Sequence, residues 1–260
     1  MSPDGAPPVA LTRDGDVATL TLANPRRKNA MTPGAWRLLG EVLVEVARSD
    51  ARVLVVTGAG TDFCAGADLS ADTDRPRAPM AGMAVVNAAC LALHRLPVPT
   101  IARVDGVAVG AGMNLALGCD FVVASDRARF SEIFVRRGLS VDFGGSWLLP
   151  RLVGLRRAKE LVLLGEVVDA AEALEAGLLR AVVPPDELDA TVAALAARLA
   201  AGPPVAVRQS KRMLTDSFEV GLERALEDEA RSQQVNFATD DFAEAVAAFR
   251  GKREPRFTGR

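Results

Sequence analysis

Arg52-Val-Leu-Val-Val-Thr-Gly-Ala-Gly60 runs from a strand-like, apolar stretch into glycine, and Cys64-Ala-Gly-Ala-Asp-Leu69 follows with almost no side-chain bulk. Thr100-Ile-Ala-Arg-Val-Asp-Gly-Val-Ala-Val-Gly-Ala-Gly112 repeats the plan and leads into a helical pattern over Gly112 to Leu117. Each loop presents bare backbone N–H groups, and the second places them at a helix start, where the first amides have no partner in the helix. Together the loops predict a site for a developing negative charge, an oxyanion hole. Taken singly, each reads first as a tightly packed strand-to-helix turn, and neither fits GxxxxGKS/T or GxGxxG.

The same order recurs on both sides of these loops. Val17 to Leu22 predicts an early strand broken by Asn24-Pro25, with Pro33 where a helix can begin. Apolar residues at helical spacing predict a helix over Gly34 to Ala47 and another over Met83 to Leu96, and Phe121 to Ala124 predicts a further strand. After Gly144 the pattern turns helical, at Ser146 to Leu152, Ala158 to Leu164, Ala170 to Ala176, Pro185 to Ala201 and Val205 to Phe218, with only Arg180 to Val183 strand-like. An α/β layered fold with a mainly helical C-terminal third follows. Ala71 to Pro79 mixes charges and prolines without a period and is expected to be a mobile surface loop able to gate a pocket. The tail GKREPRFTGR is expected to be extended, ordered by a ligand or a neighbour.

Composition narrows the function. In a chain of 260 residues, 49% apolar and 25% charged residues suit a single folded unit with a large core. A net charge of −2 gives no basic field to draw in nucleic acid or an anionic membrane. Three cysteines (Cys64, Cys90, Cys119) without metal spacing, and the single histidine His94, predict a reducing cytoplasm, no structural zinc and no disulfide framework. The N-terminus lacks an apolar segment of the signal type, and no stretch reaches about 18 uncharged apolar residues.

Thr57-Gly-x-Gly-x-x-Phe63-x-x-Gly-Ala-Asp68-Leu69 and Val104-x-Gly-x-Ala-x-Gly-x-Gly112 resemble the two signature segments of the crotonase superfamily, the enoyl-CoA hydratase and isomerase group. The resemblance extends from Asn24-Pro-Arg-Arg-Lys-Asn-Ala30 through Phe143-Gly-Gly-Ser-Trp-Leu-Leu-Pro-Arg151 to Lys252-Arg253-x-Pro255-x-Phe257-x-Gly259, nearly the whole chain. It implies a crotonase-like spiral of β-β-α units over residues 1–195 carrying an acyl-CoA site, and a C-terminal helical oligomerisation region with the tail over 196–260. It further implies a homotrimer or a dimer of trimers, and no cofactor, coenzyme A being part of the substrate.

The resemblance places the oxyanion amides on Ala67 and Ala111, where the thioester oxygen would collect enolate charge. Hydratases of this group use two glutamates. Here Asn114 occupies the first glutamate position and Phe134 the second, and neither titrates. Glu132 is close in sequence, but two residues turn a helical side chain by about 200°, so it keeps the face only on a strand. Asp142, before Phe143-Gly-Gly, coincides with the catalytic aspartate of isomerases of this group, some of which act on ring-opened or epoxidised phenylacetyl-CoA. It is therefore expected to shuttle a proton and move a double bond, although an aspartate here also suits a cap on the helix that follows.

Around these centres, Ala65, Gly66, Asp68, Leu69 and Gly110 are counted as substrate-binding, although the Asp68 side chain, like that of Asp120, also reads as structural. Phe134, Phe143, Trp147 and Leu139 are expected to line the acyl pocket. Arg26, Lys28 and Lys252, with Arg253, are candidates for the CoA phosphates. His94 and Cys64 read as packed side chains. The expected reaction is isomerisation; hydration of a 2-enoyl-CoA and acyl-CoA binding without turnover are the alternatives.

Overall fold

A computed structural model describes residues 7–69 and 79–260. The elements are β1 (Val9–Asp14), β2 (Val17–Leu22), α1 (Pro33–Arg48), β3 (Val53–Gly58), α2 (Pro79–His94), β4 (Thr100–Val104), β5 (Val107–Val109), α3 (Ala111–Leu117), β6 (Phe121–Ser125) and β7 (Arg129–Ser131). There follow α4 (Gly145–Leu164), β8 (Val167–Asp169), α5 (Ala170–Glu175), β9 (Ala181–Val183), α6 (Leu188–Ala200), α7 (Pro204–Asp216), α8 (Leu222–Phe237) and α9 (Asp240–Gly251). The loop expected over Ala71 to Pro79 lies outside the described residues except at Pro79, which opens α2.

A six-stranded sheet runs β1-β2-β3-β4-β6-β9, parallel except for the β1–β2 hairpin. The sequence shows why β3 sits centrally. Its four leading residues are all buried, as a strand covered on both faces requires. Leu54 and Val56 join the core that includes Leu39 and Leu43 of α1, while Val53 and Val55 join Ile101, Val123 and the α6 residues Leu188, Val192 and Ala196. In β2 only alternate residues are buried, namely Ala18, Leu20 and Leu22.

A second sheet, β5-β7-β8, is what the sequence did not reveal, because three-residue strands carry too little periodicity to register. With it the path becomes a spiral. The chain passes through the large sheet (β4), then the small sheet (β5), then a helix (α3), and repeats with β6, β7, a 3-10 turn at Ile133–Arg137, and α4. One turn earlier a single bridge between Cys64 and Ala108 does the work of the small-sheet strand. The expected crotonase-like spiral of β-β-α units is thus present.

The two helices expected between Ser146 and Leu164 form one element broken at Gly154, whose φ of 74° and ψ of 158° are non-helical. The tail departs from expectation. Its own chain holds it: Asp241 accepts from the amides of Thr258 (2.6 Å) and Gly259 (2.9 Å), Asp240 N–H donates to Arg260 O (2.7 Å), and Arg52 Nη2 donates to Phe257 O (3.1 Å). Sequence reasoning missed this because the acceptor carboxylate is 17 residues upstream. Among the described residues no single helix is long and apolar enough to cross a membrane.

Candidate active site

The first small-residue loop is braced from inside. Asn29 is fully buried, and its side-chain amide donates to Ala59 O (2.9 Å) and Asp62 O (2.7 Å) while its carbonyl accepts from Asn24 N–H (2.9 Å). The loop then runs beside Met31: Met31 N–H donates to Gly66 O (2.8 Å) and Asp68 N–H to Met31 O (2.9 Å). The intervening Ala67 amide stays outside that ladder. Ala65 N–H donates to Lys28 O at 2.9 Å, so this candidate contact is spent within the protein.

The second loop packs directly on the first. Cys64 N–H donates to Val107 O (2.8 Å) and Val109 N–H to Cys64 O (2.9 Å). Gly110 adopts φ 57°, ψ −129°, a conformation suited only to glycine, and sends its amide to Ser131 O (2.8 Å). Ala111 then begins α3, so its amide has no partner within the helix. A Cβ on Gly66, whose φ is +83°, would stand 2.7 Å from Val109 O and 3.5 Å from Ala111 N. Glycine there lets the loops close until the Ala67 and Ala111 segments adjoin. The Cys64 thiol donates to Asn29 O (3.2 Å) and is pushed up to about 12 by burial, which makes it packing.

Three polar side chains gather behind these loops. Asn114, fully buried on α3, donates through Nδ2 to the main-chain oxygen of Asp142 (2.9 Å) and to Glu132 Oε2 (3.3 Å). The Asp142 carboxylate has one oxygen sealed from solvent without a hydrogen-bond partner, and burial pushes its pKa up to about 6. It does not cap α4: the cap is Gly144, and the bond into the turn, Gly145 N–H to Asp142 O at 3.0 Å, uses the main chain. Glu132 is wholly enclosed and raised to about 8, first by burial and then by the charge of Asp142, against the lowering effect of the Asn114 bond. The helical-twist argument that set Glu132 aside does not apply, because Glu132 follows β7 and only then does the 3-10 turn begin. Phe134, on that turn, is buried with its ring 3.6 Å from where a Cβ on Gly110 would lie.

The remaining candidates divide by place. Lys28 lies 3.7 Å from Asp62, Arg27 lies 3.5 Å from Asp68, and Arg26 is exposed on the same 3-10 turn, so this basic group borders the first loop. Leu69 is exposed. Trp147 packs edge-on against His94 with ring centroids 5.1 Å apart and lies under Arg151. Both rings, with Cys90, Phe143 and Gly144, line a cavity of about 870 Å³ between α2, α4 and α7. Leu139 is exposed and does not line that cavity. Asp120 accepts from Thr100 N–H (2.7 Å) and Lys211 Nζ (2.6 Å), joining β4 to α7. Lys252 caps the end of α9, and its neighbour Arg253 is committed to Glu244 (2.6 and 2.7 Å). Sequence reading missed the Asn29 brace and the proximity of Cys90 to Asp142, whose charge adds to burial in raising that thiol. No local sequence signal announces either.

Comparison with known proteins gives the family and the fold. The enoyl-CoA hydratase/isomerase family pattern matches residues 12–260. The chain is 40% identical over 250 residues to a 1,2-epoxyphenylacetyl-CoA isomerase of Escherichia coli, covering 94% of this chain and 95% of that protein. It is 35% identical over 250 residues to a short-chain-enoyl-CoA hydratase of Clostridium acetobutylicum, covering 95% of each. A crystal structure of an enoyl-CoA hydratase from Bacillus anthracis superposes with a TM-score of 0.93 at 30% identity, covering 98% of this chain and 100% of that one.

Proposed function

The chain belongs to the enoyl-CoA hydratase/isomerase family, and from that premise we propose that it isomerises an enoyl-CoA, with Asp142 as the proton shuttle. The thioester oxygen accepts from the Ala67 and Ala111 amides, which stabilise the enolate formed when a proton leaves the α-carbon. Asp142 takes that proton from C2 of a 3-enoyl thioester and returns it to C4, so the double bond moves from C3–C4 to C2–C3 with no net change in composition. Arg26 and Lys28 meet the CoA phosphates, Phe134 and Trp147 border the acyl group, and the chemistry uses no cofactor, coenzyme A being part of the substrate. The reaction belongs in a reducing cytoplasm, which suits three unpaired thiols.

The observation that carries this reading is the Asp142 carboxylate, partly desolvated, unpaired, and raised into the range of a working base. Asparagine and phenylalanine occupy the positions at which the hydratases it resembles carry their glutamates. The test offers 2-enoyl-CoA and 3-enoyl-CoA to the purified protein and to Asp142→Asn. Double-bond migration lost in the variant is the expected result, and an undiminished rate in the variant overturns the assignment.

A second reading, hydration, draws support from Glu132, which stands with Asp142 around Asn114 as a second carboxyl. Oxygen-18 from labelled water appears in the product only if this reading holds. Self-association is also proposed, through α7 to α9, where Leu214, Phe218, Leu222, Leu226, Phe237 and Phe249 are all exposed. Light scattering at the mass of a trimer or of two trimers is the expected outcome; a monomer overturns it.

A further inference from the structure

Glu132 is enclosed beside the site, and the proton shuttle described above does not employ it. Its Oε2 accepts from Asn114 Nδ2 at 3.3 Å, and its Oε1 is sealed from solvent with no partner. The second hydrogen of the same amide goes to the main-chain oxygen of Asp142 at 2.9 Å. The bridge has room only because residue 145 is glycine, since a Cβ there would fall 2.4 Å from Asn114 Nδ2 and 2.7 Å from its Oδ1. A continuous contact therefore runs from the end of β7 through α3 to the segment that precedes α4.

The charges around this bridge are few. Asn114 faces Glu132 from α3, Asp142 from the segment before α4, and the Cys90 thiol of α2 is near enough to feel the charge of Asp142. Among the described residues no cationic side chain pairs with Glu132 or Asp142. An ionised Glu132 would stand desolvated beside a like charge, so the neutral acid is the form this pocket favours. A neutral carboxyl still accepts the Asn114 hydrogen bond.

We propose that Glu132 is a positioning residue that, uncharged, acts through Asn114 to fix the Asp142 main chain and leaves Asp142 as the one carboxylate in the pocket. The inference rests on Asp142 as the shuttle. Glu132 does not exchange protons with substrate in this scheme; its ionisation switches the site off. The wild-type rate then falls as alkali removes the Glu132 proton, because a second charge appears next to Asp142 and pulls the Asn114 amide toward Glu132.

The experiment measures kcat and KM for a 3-enoyl-CoA across neutral and alkaline pH in wild type, Glu132→Gln and Asp142→Asn. Glutamine accepts the same hydrogen bond but cannot ionise. The expected result is that Glu132→Gln keeps kcat within about tenfold of wild type at about pH 7 with KM unchanged, and lacks the fall in kcat that wild type shows above about pH 8. A larger loss at neutral pH, which would make Glu132 itself the proton carrier, overturns the proposal, and so does an alkaline limb shared by both proteins. Asp142→Asn separates the two readings: an active Asp142→Asn variant sinks the shuttle, whereas an inactive one with an unaltered Glu132→Gln profile sinks only the role of Glu132. Infrared spectroscopy of the wild type guards against a poorly folded variant. A protonated-carboxyl stretch present at about pH 7 and lost above about pH 8 is expected, and its absence at neutral pH overturns the proposal.

Discussion

The carbonyl oxygen of Cys64 lies 2.3 Å from the point where a Cβ on Gly112 would stand, so the two amide-bearing loops touch with no room for a methyl group. Because backbone, and not a flexible side chain, occupies that point, Gly112→Ala must push the loops apart. Overpacking of this kind costs about 1–3 kcal/mol. The Ala67 and Ala111 amides would separate as well, and loss of one oxyanion donor typically costs about a hundredfold in kcat. Gly34→Ala is the control: it sits in the first turn of α1 with its nearest contact at 3.8 Å, and alanine is expected to leave activity unchanged. Steady-state kinetics with thermal unfolding reads both variants; a fully active Gly112→Ala would refute the close packing as a catalytic requirement.

Asp142 carries its own pH signature. As a base it must be ionised, and burial raises its pKa to about 6, so protonation disables it below that value. The isomerisation rate is expected to decline about tenfold per pH unit below about 6 and to be flat just above it. A profile flat down to about pH 4.5, in the ordinary range of an exposed carboxyl, would show that the rate does not depend on a buried Asp142.

Legibility in the sequence followed physical scale. The strand β3 and the helix α1 declare themselves because burial on both faces leaves an unbroken apolar run in the one, and burial on one face leaves a helical period along 16 residues in the other. The hole loops declare themselves through glycines at positive φ, Gly66 and Gly110, for which no other residue serves. Glu132 is different. Its importance depends on whether the chain at that point is strand or helix, and on an Asn114 bond formed by folding. A contact spanning 18 residues between two side chains has no local period to betray it. The Asp241 grip on the tail was hidden for the same reason.

That grip is itself testable. Asp241 is buried, and its two oxygens accept from the consecutive amides of Thr258 and Gly259. Asp241→Ala leaves both donors without their acceptor, at a cost of about 1–3 kcal/mol. Hydrogen exchange at Thr258 and Gly259 should accelerate, and the tail should become the first site of proteolytic nicking. Unchanged exchange at both amides would mean that the remaining contacts, from Arg52 to Phe257 and from Asp240 to Arg260, suffice to hold it.

Stability should carry the mark of Glu132 independently of turnover. Its pKa is raised from 4.5 to about 8 in the fold, so the folded state retains a proton that the unfolded chain gives up at lower pH. The stabilisation associated with that proton is complete below the unfolded pKa and is lost as pH rises through the folded one. Wild type therefore loses on the order of 3 kcal/mol from this group between about pH 5 and about pH 8. Glu132→Gln has no proton to lose, so its unfolding free energy should fall less over the same interval, and the difference between the proteins should widen with pH in favour of the variant. Denaturant unfolding at several pH values gives both curves; parallel curves would mean that Glu132 is not held protonated by the fold.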